Sequence, residues 1–325
     1  MDEREIYQRA RAEAAFLELP GQALYEATGV DQLDYFNGQV TNDVRLATAG
    51  QAVYATICGV KGMMEADCFL FRAPLDGDIP GGNFRVSTGP ALAESLLSRF
   101  DRFIIADDVL LDELTAKWRQ LHVCGPQAGE IVAAIPVAAP AQWVRTDRLG
   151  MAGYDLVVPV QSYAAWRDQV AARVAELPAA LAERLRIENG RPAWGHEIVR
   201  DTLPQEAGLE ALVVSYAKGC YIGQEIISRV KSSGKVRRSI RGFTAAAGQV
   251  PALGAALLAG PEAEAARVGT VTSVAQSFPG EGVFGLASVK TGYENAGAQL
   301  WVAGIEGAPS WPVQVADLPF PAASA

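Results

Sequence analysis

Histidine is almost absent from this chain. Only His122 and His196 occur among 325 residues, too few for a His-rich metal centre or an H-E-x-x-H metalloprotease pattern. Cysteine is scarce as well. Cys58, Cys68, Cys124 and Cys220 are widely spaced and form no C-x-x-C pair, so neither a zinc motif nor a thioredoxin-like motif is present. Long apolar runs are missing. The longest, Ile131–Ala141, contains two prolines and is too short to span a bilayer. The opening Met1-Asp2-Glu3-Arg4-Glu5 lacks the basic-then-apolar order of a secretory signal. No repeat of 20–50 residues is evident. The expectation is a cytoplasmic protein with no metal site and no membrane contact.

Positive charge is also in deficit. The formal net charge of −9 argues against a general nucleic-acid coat. Yet no acidic residue lies between Ile226 and Pro261, a window holding Arg229, Lys231, Lys235, Arg237, Arg238 and Arg241. Such a stripe reads either as a solvated face or as a local anion site, for a polyglutamate tail or an RNA backbone.

What is present fits an α+β chain of two or three domains. Helices are expected over residues 3–17, after Asp31 (with Leu33, Phe36 and Val40 on one face), and over Pro90–Phe103, Ala128–Ala134, Ser162–Glu176 and Ala179–Asn189. Strands are expected at Ala52–Cys58, Cys68–Arg72, Phe84–Ser87 and Lys117–Cys124, with a hairpin of Trp143–Thr146 and Asp155–Pro159. Pro74–Asn83 reads as a loop. From Val236 onward the helical patterns fade. Short strands at Ser239–Phe243, Val268–Val274, Gly282–Leu286 and Gln299–Val302 alternate with Gly and Pro turns, the pattern of a small barrel. The tail after Leu318 reads as loose.

The most chemical stretch is Lys218-Gly219-Cys220-Tyr221-Ile222-Gly223-Gln224-Glu225. It puts a thiol between glycines, before a helix and beside a lysine. A helix dipole and a nearby cation both favour thiolate, so Cys220 is a candidate reactive group. The alternative is a buried cysteine in a strand-turn-helix, as expected for the other three. His122, in the strand-like Leu121–Cys124, reads as structural.

The octapeptide resembles the K-G-C-[FY]-x-G-Q-E signature of YgfZ-type folate-binding proteins, of one superfamily with the aminomethyltransferase (T-protein) of the glycine cleavage system. The resemblance extends along the chain. Gly38-Gln39-Val40-Thr41-Asn42-Asp43 is similar to the G-Q-x-T-x-D segment, and Lys61-Gly62-Met63-Met64 to the K-G-K/R-apolar element. Arg186-Ile187-Glu188-Asn189-Gly190 and Trp194-Gly195-His196-Glu197 resemble R-x-E-x-G and Y-G-x-E/D. Pro204-Gln205-Glu206-Ala207 stands at the P-x-E-A element, and Gly269-Thr270-Val271-Thr272-Ser273 is similar to G-x-V-T-S. The fold so implied is three domains in a ring: residues 1–50 with 145–242 as an α+β folate-binding domain, 51–144 as a second α+β domain, and 243–325 as a β-barrel.

The resemblance also implies tetrahydrofolate or a derivative as cofactor, with Glu188 on the pterin, since a carboxylate can accept two parallel N–H bonds from that edge. Trp194 and Tyr221 would supply either stacking faces or simple packing; Lys218, Gln224, Lys231 and Arg237 would contact the remaining ligand. T-proteins carry an Asp pair where this chain reads Glu65-Ala66-Asp67, and a residue moved by one along a strand changes face. Cys220 has no T-protein equivalent. The implied function is a tetrahydrofolate-binding factor for assembly or repair of iron–sulfur enzymes, including tRNA-modifying ones, with client or assembly proteins as partners. The alternative is a folate-dependent aminomethyl or demethylating transferase using Glu65 or Asp67 as acid/base. A weaker alternative is direct tRNA binding by the basic stripe.

Overall fold

The structure, a computed structural model, describes residues 2–74, 81–262, 264–275, 278–279, 281–304 and 308–320. Most of the expected 74–83 loop and the tail beyond Phe320 lie outside these residues. The chain divides into two compact units, Met1–Pro178 with Ala211–Ser228, and Ala179–Glu210 with Arg229–Ala325.

The first unit opens with a helix, Glu3–Ala12. Asp2 caps it by accepting from the Glu5 amide at 2.8 Å, and Glu3 and Glu5 suit its N-terminal dipole. The expected helix over 3–17 is too long. Ala15–Glu18 is a strand, because Ala14, Ala15 and Phe16 are buried in a sheet and packing overrides local helix propensity. That sheet runs Ala175–Glu176, Ala15–Glu18, Trp118–Cys124, Gly153–Pro159, Gln142–Thr146. The expected helix through Glu176 ends at Ala171, and Ala175–Glu176 pairs parallel with Ala15–Phe16. The expected hairpin forms, with Val144 opposite Asp155.

A second sheet, antiparallel throughout, runs Val53–Cys58, Met64–Arg72, Phe84–Thr88, Ala23–Thr28, Leu110–Glu113. Leu24, Phe69 and Phe71 of this sheet share one buried cluster with Val144 and Val157 of the first. Burial of each such side chain contributes roughly 1.5–3 kcal/mol. The helix Gln32–Gln39 packs Tyr35 and Phe36 edge-on against Phe84 and Phe100. Asp31 precedes this helix without capping it; its carboxylate accepts from the Asp108 amide at 2.7 Å.

The second unit holds the helix Ala179–Glu188 and a closed six-stranded barrel. Its order is Arg238–Ala245, Val283–Lys290, Arg267–Val274, Ala256–Leu258, Gln299–Val302, Trp311–Ala316, the last pairing back onto the first. Closure removes exposed strand edges. Phe243, Val271, Val289, Leu300 and Val313 fill the interior. No helix among the described residues is long and apolar enough to cross a membrane.

Candidate functional site

In the first unit three distant motifs converge on the signature loop. Lys218 points inward, and its ammonium donates to the carbonyls of Asn37, Val40 and Asn42 at 2.5, 2.7 and 2.9 Å. These carbonyls lie in and just past the C-terminal end of the Gln32–Gln39 helix, where a cation is favoured by the dipole. An ammonium has three donors, so all are engaged. Burial pushes the Lys218 pKa down to about 8, against the opposing attraction of Asp43. The Ile222 amide donates to Gly38 O, and Asn42 donates to Leu212 O and Tyr54 O at 3.0 and 2.9 Å. Thr41 bonds Val213 O and the Thr56 hydroxyl.

Gly223 fixes the third contact. Its φ is +87°, and a Cβ there would stand 2.6 Å from Gly59 O and 3.1 Å from the Gly62 Cα. Only glycine allows both that backbone and that approach. The octapeptide is thereby pressed onto the turn between Val53–Cys58 and Met64–Arg72.

Cys220 is exposed, whereas Cys58, Cys68 and Cys124 are buried. Burial raises the Cys58 and Cys124 thiols to about 12, and that of Cys68 well above its usual value. The helix expected after the loop spans Gln224–Ser233, so Cys220 precedes it by several residues, and half-exposed Gln224 is its first residue. Two expected roles change here. Lys218 is a buried helix cap rather than a cation offered to thiol or ligand. Tyr221 is buried, with the Lys218 ammonium 5.0 Å from its ring centroid, so its ring is not an open stacking platform. The Tyr221 hydroxyl is buried with no hydrogen-bond partner among the described residues, and burial raises its pKa.

Glu65 and Asp67 share one half-buried face of the strand Met64–Arg72, with Ala66 buried on the other. Arg99 Nε donates to Glu65 Oε2 at 2.9 Å, and its Nη1 donates to Gln39 Oε1 at 3.0 Å. Tyr54 donates its hydroxyl to Asp67 Oδ2 at 2.6 Å. Arg99 carries no site signal in the sequence, and Gln39 enters there only as part of the G-Q-x-T-x-D segment. Helical spacing gives no sign that Arg99 faces a distant glutamate.

The second unit holds Glu188, Trp194, Lys231 and Arg237. Glu188 ends the Ala179–Glu188 helix, is buried, and accepts from Arg184 Nε at 3.0 Å. Arg184 is buried too, and also pairs with Glu281 at 2.9 Å. Arg186 joins three motifs of this unit: it pairs with Glu197 at 2.9 Å and donates to Ser273 Oγ at 2.7 Å, while Ser273 donates to Glu197 at 2.6 Å. Trp194 is half-exposed beside this network. The acid-free window finds its partners elsewhere in the chain. Lys231 pairs with Glu210, Arg238 with Glu206 and Asp201, and Arg241 with Asp317. Lys235 and Arg237 stay exposed, with no ion pair among the described residues.

His122 is structural. Its ring bonds Asp155 at 2.8 Å in the core. Burial raises the Asp155 pKa, but Arg148 and His122 outweigh it and hold the carboxyl at about 2. No three His, Cys, Asp or Glu side chains among the described residues are grouped to hold a metal ion.

The family model of the GCVT N-terminal domain matches residues 3–217. The tRNA-modifying protein YgfZ of Escherichia coli O157:H7 (strain EC4115 / EHEC) is 31% identical over 266 residues, 75% of this chain and 76% of that protein. YgfZ of Yersinia pestis (strain Pestoides F) is 27% identical over 271 residues, 80% of each. An aminomethyltransferase of Rubrobacter xylanophilus is 27% identical over 268 residues, 77% of this chain and 69% of that protein. In fold, the chain matches the glycine cleavage system aminomethyltransferase T of Bartonella henselae with a TM-score of 0.81, across 97% of this chain and 88% of that one, at 20% identity. The chain belongs to the GCVT-domain family, among relatives that include both YgfZ proteins and aminomethyltransferases.

Proposed function

We propose that this protein binds tetrahydrofolate and assists the assembly or repair of iron–sulfur enzymes in the cytoplasm, tRNA-modifying enzymes among them. The observation that carries this reading is the exposed Cys220 thiol on a loop locked by Lys218 and Gly223, while the other three thiols are buried. A fixed, accessible thiol suits transient chemistry with a client. One cysteine cannot hold a cluster alone, so the client or an assembly protein would supply the other ligands.

For folate, Glu188 is the residue whose chemistry fits. Its carboxylate is buried and oriented by Arg184, and a charged acceptor in a dry setting suits an amino-pyrimidinone edge. Half-exposed Trp194 and exposed Arg237 in the same unit suit the ring and the anionic tail. Bound folate would supply one-carbon chemistry or a regulatory signal. Cys220→Ser is expected to keep folate binding but fail to support a cluster-dependent enzyme in cells. Full rescue would remove Cys220 from the account.

A second reading, a folate-dependent aminomethyltransferase, is favoured by Glu65 and Asp67 sharing one strand face. Their engagement with Arg99 and Tyr54 weighs against it, since a general base must reach the proton it abstracts. Methylamine-dependent turnover with tetrahydrofolate, abolished in Glu65→Gln/Asp67→Asn, would establish it. Direct tRNA binding by the basic stripe is disfavoured by its ion pairs. Steeply salt-dependent RNA affinity would restore it.

A further inference from the structure

The first unit contains a cavity of about 480 Å³ that the folate reading does not use. The chain crosses between the two sheets at Leu19–Gln22 and again at Leu114–Lys117, and the cavity lies between these crossings. Trp118, Tyr163, Leu19 and Pro20 form much of its wall, and Gln22, Thr115 and Gln120 supply polar groups. Its volume is in the range of roughly 300–1,000 Å³ usual for small-molecule sites.

Ser87 determines what these polar groups offer. Its hydroxyl accepts from Gln22 Nε2 and from Arg148 Nη2, each at 3.2 Å. Its one hydrogen therefore goes to Gln120 Oε1, 2.9 Å away. Gln120 is only 3% exposed. Its NH2 group has no acceptor among the described residues, and Gln22 Oε1 has no donor. Reversing both carboxamides exchanges the roles but still leaves one donor and one acceptor. Both carboxamides line the cavity, so the donor and the acceptor left over are open to a ligand there.

Charge selects the ligand further. Glu18 is held by Arg167, and exposed Glu113 and Arg119 oppose each other in sign at the rim. One side of the Trp118 ring carries the Arg85 guanidinium at 4.1 Å. Trp118 also packs on the Leu24, Phe69 and Phe71 cluster and lines the cavity. The walls thus suit a neutral, flat molecule with a hydrogen-bond acceptor beside a donor.

We infer that this cavity binds a neutral planar lactam of the pyrimidinone class, its carbonyl on the Gln120 amide, its ring N–H on Gln22 Oε1, and its plane against Trp118. Uridine is the probe, titrated by calorimetry into the full chain. Saturable binding is expected, weakened at least about tenfold by 3-methyluridine, which blocks the N–H and leaves a polar group unpaired. Gln120→Leu should weaken uridine to a similar extent. Should that variant fail to fold, half-buried Gln22→Leu gives the same reading. Glu188→Ala should leave uridine binding unchanged, so this inference and the folate proposal fail separately. No saturable binding up to about 10 mM would overturn the inference. So would equal affinity for 3-methyluridine, or loss of uridine binding in Glu188→Ala.

Discussion

The ammonium of Lys218 and the carbonyl of Val40 stand 2.7 Å apart although 178 residues separate them in the chain. That contact caps a helix and seats the signature loop at once. Lys218→Met leaves three carbonyls without their donor, two of them partly buried and that of Val40 fully so. The expected loss of stability is about 2–4 kcal/mol, measured by urea unfolding. A pH dependence follows. The folded pKa, about 8, is below the ordinary 10.5. Between these values the unfolded chain binds more protons, so this group's contribution to stability rises with pH across the window. The slope should flatten in Lys218→Met.

Gly223→Ala and Gly219→Ala form a matched pair. The first places a Cβ 2.6 Å from Gly59 O at a positive φ, while the second meets open space. Gly223→Ala should cost at least about 2 kcal/mol and Gly219→Ala less than about 1. Thermal unfolding of both variants checks this. Equal losses would contradict the docking of the loop described above.

Thiol accessibility should be all-or-none. One cysteine of the native protein is expected to react rapidly with an aromatic disulfide reagent, and none in Cys220→Ser. The remaining three should react only on unfolding, since they are buried. Rapid reaction of a second thiol in the native state would contradict the burial of Cys58, Cys68 or Cys124.

Acid stability should depend on Asp155. Its folded pKa of about 2 lies below the ordinary 3.8. The ion pair's contribution is therefore full above about pH 4 and is lost as the pH falls through 2. The conservative Asp155→Asn should lower stability at neutral pH and flatten the acid limb of the profile. An unchanged acid limb would show that other carboxylates govern it.

Much of this architecture is legible in the sequence because it rests on local signals. The hairpin around Gly150–Gly153, the helix after Asp31 and the Gly/Pro-punctuated barrel all carry their own turn and periodicity cues. Ala23–Thr28 was missed because Leu24-Tyr25-Glu26-Ala27 alternates poorly, being buried on both faces apart from Glu26. Trp311–Ala316 was missed because Pro312 argues against a strand. At the sites, the signature cysteine and the glycines could be read directly. The inward turn of Lys218, the Arg99–Glu65 pair and the Ser87-centred amides could not, because each depends on long-range contacts that no sequence window contains.

The most direct test of the central claim is titration of tetrahydrofolate into the wild type and Glu188→Ala by calorimetry. The account predicts saturable binding to the wild type and at least about tenfold weaker binding to the variant, the scale of one charge-assisted bond pair. Absence of binding to the wild type, or equal binding to both, would contradict it.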